Sequence, residues 1–331
     1  MDSLVQQLED LLSEPLPAVL RRERTSFDEL TSPYTDSLVL FGAGNLGRRV
    51  LTGLRTVGVE PLAFADNNPA LWGSCVAGLP VLSVPQAAEQ FGDKAAFVVT
   101  TSSAEATERM SERIALLRQL GCTRVVPFVF LYWKYPETFL PYYFYDLPHL
   151  VIEQSADVVA AAGLWSDEAS RRYYLSHLRF RLLGDFDALP TCDPDDAYVP
   201  PDLVSLGPSE ILVDCGAFDG DTIRQILDRR CSFARIHAME PDPISYVRLQ
   251  DYLHTLPEDI RTNITPYPLA VGERRGQVRF AASGTVTSSV GEGDCEVEIV
   301  PLDEIQMDAP LHTSRWISKV PNWTHSKERA N

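Results

Sequence analysis

ILVDCGAFDGDT, residues 211–222, decides the fold of this chain. An apolar run stops at the acidic Asp214, and a turn spaced by Gly216 and Gly220 follows. The pattern predicts a strand, a ligand loop and a helix running through Leu227. Glycines at those positions let backbone approach a ligand, while Asp219, Asp221 and Thr222 offer side-chain acceptors and a helix cap. The turn carries negative charge, so it suits no phosphate, and a cationic or zwitterionic ligand fits better. Downstream, ARIHAMEPDP places a second strand at Ala234 to Met239 and ends it on Glu240, 26 residues beyond Asp214. In an open parallel sheet the ligand lies outside the carboxyl ends of the strands, and an acid at the second strand's tip can accept both hydroxyls of a ribose.

Four segments, VDCGAFDGDT, AMEPDP, PLAVGERRG (Pro268 to Gly276) and GTVTSSV (Gly284 to Val290), occur in that order. Together they resemble the FkbM family of S-adenosylmethionine-dependent methyltransferases, from Tyr198 to about Ile305. The resemblance implies a class I methyltransferase fold and methylation of a hydroxyl on a small molecule, a sugar or a secondary metabolite. It also implies that Asp214, Gly216, Ala217, Phe218, Gly220 and Thr222 line the S-adenosylmethionine site and that Glu240 holds the ribose. Ser288 and Ser289 either complete that site or form a polar hairpin. No catalytic residue is assigned and no metal ligand is expected.

The first half has its own nucleotide-type pattern. SLVLFGAGNLGRRVLTGLRTVG predicts a strand at Leu38 to Phe41, the glycines Gly42, Gly44 and Gly47, and a helix to about Thr56. The strand PLAFAD ends on Asp66, 24 residues after Gly42, close to the roughly 20 between a dinucleotide fingerprint and its ribose-binding acid. Further strands are expected near Phe97 and Val125. Three readings stay open: a dinucleotide and sugar oxidoreduction with NAD, a nucleotide sugar bound without catalysis, and a purely structural role.

Between the two patterns lies PFVFLYWKYPETFLPYYFYDLPHL, Pro127 to Leu150. Its prolines exclude one long helix, so an extended connector packing aromatic rings is expected. SDEASRRYYLSHLRFRLLG then predicts a helix capped at Ser166, with an apolar stripe of Leu175, Leu178 and Leu182, with Arg172 and Arg179 either solvated or binding an anionic substrate group, and with His177 a surface or packing histidine.

Composition sets outer limits. With 331 residues, 45% hydrophobic and 23% charged, the chain suits two domains with ordinary cores. A formal net charge of −17 argues against nucleic acid, whose binding needs clustered Lys and Arg. The longest apolar run, Val125 to Trp133, is far below the ~20 residues a membrane helix needs, so no membrane partner is expected. The acidic, amphipathic start, with Leu4, Leu8 and Leu11 at helical spacing, lacks the basic leader of a secretory signal. Cys75, Cys122, Cys192, Cys215, Cys231 and Cys295 are scattered without paired spacing, which fits reduced thiols in a cytoplasm.

The last segment, LHTSRWISKVPNWTHSKERAN, has no hydrophobic period. With permitted codons, the shifted frame from His312 reads YIKMDIEGAELDALKGARQ, a motif the resembling family carries on its fourth strand. A frameshifted, truncated end is therefore expected, with the second sheet stopping after three strands. The fold class is α/β: two Rossmann-like doubly wound sheets, the second a class I methyltransferase fold incomplete at its C-terminus. The expected divisions are a helical segment 1–36, a nucleotide-binding-type domain 37–130, an aromatic and helical connector 131–204, a methyltransferase domain 205–310 and an aberrant tail 311–331.

Overall fold

A computed structural model describes residues 2–101, 109–190, 198–201, 204–282, 284, 289–290, 295–305 and 314–318. The chain divides into two compact units, Met1–Cys192 and Asp193–Asn331.

The first unit opens with helices α1 (Asp2–Leu12) and α2 (Leu16–Thr31). Strands β1 (Leu38–Phe41), β2 (Ala63–Asp66), β3 (Cys75–Val76), β4 (Leu79–Ser83), β5 (Ala96–Val99) and β6 (Arg124–Pro127) then alternate with helices α3 (Asn45–Thr56), α4 (Val84–Phe91) and α5 (Met110–Gln119). The sheet order is β3-β4-β2-β1-β5-β6. All its pairings are parallel except β3 with β4. Val39 sits between Ala63 and Phe97, so β1 is central. Every residue of β1 is buried, as a strand covered on both faces requires. Leu38 and Leu40 pack with Val50 and Leu54 on one face, while Val39 and Phe41 pack with Ala87, Ala88 and Leu117 on the other. Helix α4 starts where Ser83 Oγ accepts the Gln86 N–H and Gln86 Oε1 accepts the Ser83 N–H, a reciprocal cap written by the S-x-x-Q spacing.

The aromatic stretch is not an extended connector. It forms α6 (Phe128–Lys134) and α7 (Pro136–Phe139) and joins the core of the first unit. Phe128, Tyr132, Trp133 and Phe139 are buried. Tyr132 stacks on Phe139 with centroids 4.6 Å apart, and Phe128 meets Tyr132 edge-on at 5.0 Å. The prolines explain the difference: Pro127 caps α6 and Pro136 opens α7. At a first helical position proline's missing N–H costs nothing, so it starts short helices as readily as it forbids a long one. Burial pushes the Tyr132 and Tyr145 hydroxyls well above the usual phenol range.

Three more helices, α8 (Pro148–Glu153), α9 (Ser155–Ala162) and α10 (Glu168–Leu183), complete the unit. Asp167, rather than the expected Ser166, caps α10 by accepting the Ser170 N–H at 2.8 Å. The stripe Leu175, Leu178 and Leu182 packs on Leu8 and Val151, and His177 is exposed. Glu23, 4% exposed, accepts the His149 N–H at 2.6 Å and meets the His149 ring at 3.0 Å, which ties α2 to α8.

The second unit carries β7 (Ile211–Cys215), α11 (Asp221–Asp228), β8 (Arg235–Met239), α12 (Pro243–Thr255), α13 (Glu258–Arg261) and β9 (Ile264–Tyr267). A smaller sheet follows from β10 (Ala270–Val271), β11 (Gly276–Ala281), β12 (Ser289–Val290) and β13 (Cys295–Val300), in the order β10-β13-β11-β12. The last described strand is β14 (Ser314–Ser318). It pairs in parallel with β7, and the main sheet reads β14-β7-β8-β9. The expectation of a sheet that stops after three strands is thereby corrected. Backbone pairing needs only extended chain, so a segment without a hydrophobic period still fills the slot. β7 becomes an interior strand, with the reversal of strand order between β7 and β14. That is the position where open α/β sheets form their ligand crevice.

Candidate functional site

The site is built on the carboxyl end of β7. Leu212 and Val213 are fully enclosed, and Asp214, 1% exposed, closes the run. The chain then turns back over the tip of β8. Gly216, at φ 107°, and Ala217 both donate their N–H groups to the Met239 carbonyl, at 2.8 and 2.9 Å. Phe218 follows in the left-handed region at φ 49° and donates its N–H to Glu240 Oε2 at 2.7 Å. Glu240 Oε1 accepts the Asp242 N–H at 2.8 Å. Glu240, 6% exposed, is thus a latch that fastens the glycine turn to the end of the second strand. Each Glu240 oxygen thus accepts one backbone N–H of the turn region, which fixes the carboxylate at the tip of β8.

The first unit repeats this device. Gly42, at φ 117°, donates its N–H to the Ala65 carbonyl at 2.8 Å. Asp66 accepts the Ala43 N–H at 2.7 Å and the Asn68 N–H at 2.8 Å. In each unit the acid lies 24 residues beyond the first loop glycine. Glycine-to-acid spacing therefore encodes an internal loop latch in both halves, whatever else each acid touches.

One expectation about the turn changes, that of the helix cap, and Gly220 has a packing reason as well. Gly220, at φ 89°, caps α11 without any side-chain acceptor, and a Cβ there would lie 2.7 Å from Tyr252 Cδ1. The glycine is demanded by packing on α12, before any ligand approach is considered. The acids expected to cap α11 act elsewhere: Asp219 accepts from Arg224 at 2.9 Å, and Asp221 accepts the Thr222 N–H at 2.9 Å. The Arg224 guanidinium lies 4.4 Å from the Tyr252 ring centroid, so the outer side of the turn is cross-linked to α12 through an ion pair and a cation–π contact. Thr222 is fully buried, and its hydroxyl has no hydrogen-bond partner among the described residues. Ser288 and the side chain of Ser289 lie outside the described residues.

Asp242 is the residue that the spacing argument missed. It is 0% exposed. Its Oδ1 accepts the Ile244 N–H at 2.8 Å and the Ser245 N–H at 3.3 Å, and its Oδ2 accepts the Gly284 N–H at 2.8 Å. An Asp directly before a Pro that opens a helix is an N-cap signature, and EPDPIS carried it. Around the turn, Tyr198 and Val199 donate their N–H groups to Gln225 Oε1 at 2.9 and 3.2 Å. The Tyr198 hydroxyl reaches Asp221 Oδ2 at 3.3 Å.

Electrostatically the tip of β7 is negative. Burial and the neighbouring Asp214 charge push the Cys215 thiol up to about 11. The folded unit holds this proton more tightly than the unfolded chain, so the associated stability is full below pH 9 and is lost as pH rises toward about 11. At pH 8 the Cys215 thiolate is about 100-fold scarcer than for an unshifted thiol, since two pKa units are two decades. Iodoacetamide at pH 8 is therefore expected to label the exposed Cys75 first and to leave Cys215 almost unmodified until the unit unfolds. Mass-spectrometric mapping checks the order, and early labelling of Cys215 would refute its enclosure.

A doubly wound parallel sheet with a glycine turn at the switch point, latched by the next strand's terminal acid, defines an α/β protein of Rossmann-like architecture. The chain matches no protein-family model, and no curated protein matches it. Among solved structures it is similar to the methyltransferase FkbM from Methylobacillus flagellatus KT, at 20% identity and a TM-score of 0.66, covering 93% of this chain and 79% of that one. The fold is that of this methyltransferase structure. Among the described residues no helix is long and apolar enough to cross a membrane.

Proposed function

We propose that the second unit binds S-adenosylmethionine at the turn Gly216–Gly220 and methylates a hydroxyl of a small molecule, a sugar or secondary metabolite. The observation that carries this reading is the latched turn itself, placed at the carboxyl ends of β7 and β8 beside the reversal of strand order. The likeness to a structure named as a methyltransferase supports it. When bound, the donor supplies a methyl group on a sulfonium cation. The enclosed carboxylates of Asp214 and Glu240 give the tip of β7 the negative potential that a cation prefers. Glu240, held at the tip of β8, is the acid that would accept the ribose hydroxyls, with Gly216, Ala217 and Phe218 as the floor beside it. Holding two reactants in line is worth ~7–11 kcal/mol of barrier, so a strong base is not required for such a displacement. Titration calorimetry of the full chain with S-adenosylhomocysteine tests the reading, with saturable one-to-one binding expected. Absence of binding would overturn it. Nicotinamide absorbance with candidate sugars tests the rival oxidoreductase.

Gly44 favours a second reading, in which the first unit binds a nucleotide-type ligand. A Cβ at Gly44 would meet nothing within 4 Å, and no side chain caps α3 there, so the fold itself does not require glycine. A Cβ at Gly47 would instead lie 1.9 Å from the Gly42 carbonyl oxygen. Gly44→Ser should melt at or slightly above wild type, because a serine cap is worth only a few tenths of a kcal/mol over glycine. The same change should abolish any thermal shift given by nucleotides or nucleotide sugars. Gly47→Ala should lower the melting temperature outright. If no nucleotide shifts the wild type, the first unit is structural.

A further inference from the structure

The turn Glu240–Pro241–Asp242 holds two different pieces of chain. Glu240 faces back to the glycine turn through the Phe218 N–H. Asp242 faces forward to Gly284, the residue that opens the hydroxyl-rich segment ahead of β12. One turn further along α12, Arg248 Nη1 donates to the Gly284 carbonyl at 2.6 Å. Both polar groups of a single peptide residue are therefore gripped by one helix. The grip is also steric: Gly284 has φ 64°, and a Cβ on it would lie 2.7 Å from Ile244 Cγ2.

From this geometry we infer that Asp242 and Arg248 are positioning residues, which dock the chain at Gly284 on α12 so that it moves as one body with the donor turn Gly216–Gly220. The inference rests on the reading of that turn as the donor site. Its consequence is that occupancy of the turn is transmitted to the chain at Gly284, by way of two carboxylates two residues apart. Asp242 and Arg248 touch the Gly284 peptide and act through it, so neither is a catalytic residue.

Hydrogen exchange followed by mass spectrometry on the full chain, with and without S-adenosylhomocysteine, tests the coupling. In the wild type both the peptide spanning 214–222 and the peptide spanning 282–290 should gain protection on adding the probe. Asp242→Asn keeps a good helix cap but turns an amide donor toward one of the N–H groups that the carboxylate now satisfies. Arg248→Met removes the donor to the Gly284 carbonyl from an exposed helix position, so it leaves the fold intact if the first variant does not. Without probe, each variant should exchange roughly 10-fold faster at 282–290, the scale of one charge-assisted hydrogen bond. With probe, each should still gain protection at 214–222 and gain none at 282–290. Equal gains at 282–290 in wild type and variants overturn the coupling. A wild type that gains at 214–222 alone overturns it as well. A wild type that binds no probe instead rejects the donor-site reading, while the unliganded exchange rates still report whether the grip exists.

Discussion

Glu240→Ala is expected to cost the second unit a large share of its stability, and Glu240→Gln to cost it donor affinity. The alanine variant strips the acceptor from the Phe218 and Asp242 N–H groups together. Leaving a buried donor unsatisfied costs about 1–3 kcal/mol, so the pair costs about 2–6 kcal/mol. A domain's whole stability is of order 5–15 kcal/mol. A unit of this length falls between the about 4–8 °C per kcal/mol of small domains and the about 2–4 °C of larger ones, so the melting temperature should fall by at least about 5 °C. Glutamine keeps one acceptor oxygen and the side-chain volume, so its melting loss should be about half as large. It exchanges charge-assisted hydrogen bonds for neutral ones, and S-adenosylhomocysteine affinity should drop about 10-fold or more, read by calorimetry. Asp66→Ala gives an internal comparison, because Asp66 latches the Ala43 and Asn68 N–H groups in the same way. It should destabilise the first unit and leave donor affinity unchanged. A Glu240→Ala protein that melts like wild type would remove the latch from the account.

The elements that dictate the site were legible because they obey short-range rules. LVLF and ILVDC are continuous apolar runs, and both became buried parallel strands ending where glycine appears. The helix after each turn followed from its period. What escaped was set by neighbours distant in sequence. Gly220 reads as ligand clearance, and its packing against Tyr252, 32 residues away, is seen only in the fold. Asp242 reads as part of a motif until Gly284 is found bonded to it. The small sheet had a legible trace, since Val278 and Phe280 alternate with Gln277 and Arg279, and Val297 falls between Glu296 and Glu298. Period-two alternation of that kind marks a strand with one covered face. The aromatic helices were missed because proline was read only as a breaker, when Pro136 stands at the one helical position that welcomes it.

Changing the reading frame of residues 312–331 is expected to strengthen donor binding without moving a strand. β14 already lies parallel to β7, with Trp316 beside Val213 and Ile317 beside Asp214. Ladder hydrogen bonds are made by backbone, so the alternative reading IKMDIEG over residues 313–319 can enter the same slot at the same register. It would bring acidic side chains to the carboxyl end of the strand, next to the glycine turn and on the far side from Glu240. A cationic donor would then face carboxylates from both walls of the crevice, and S-adenosylmethionine affinity should rise at least about 10-fold in a chain carrying that frame. Deleting residues 311–331 from the present chain should act in the opposite direction. It strips β7 of its partner on one side, exposes an unpaired strand edge and favours association between copies, which lower melting and light scattering would register. Nucleotide sequence around Leu311 supplies the direct check. If no frame there encodes an IKMDIEG-like segment, the strand SRWIS is the natural partner of β7, and the donor crevice must be completed by the residues already named.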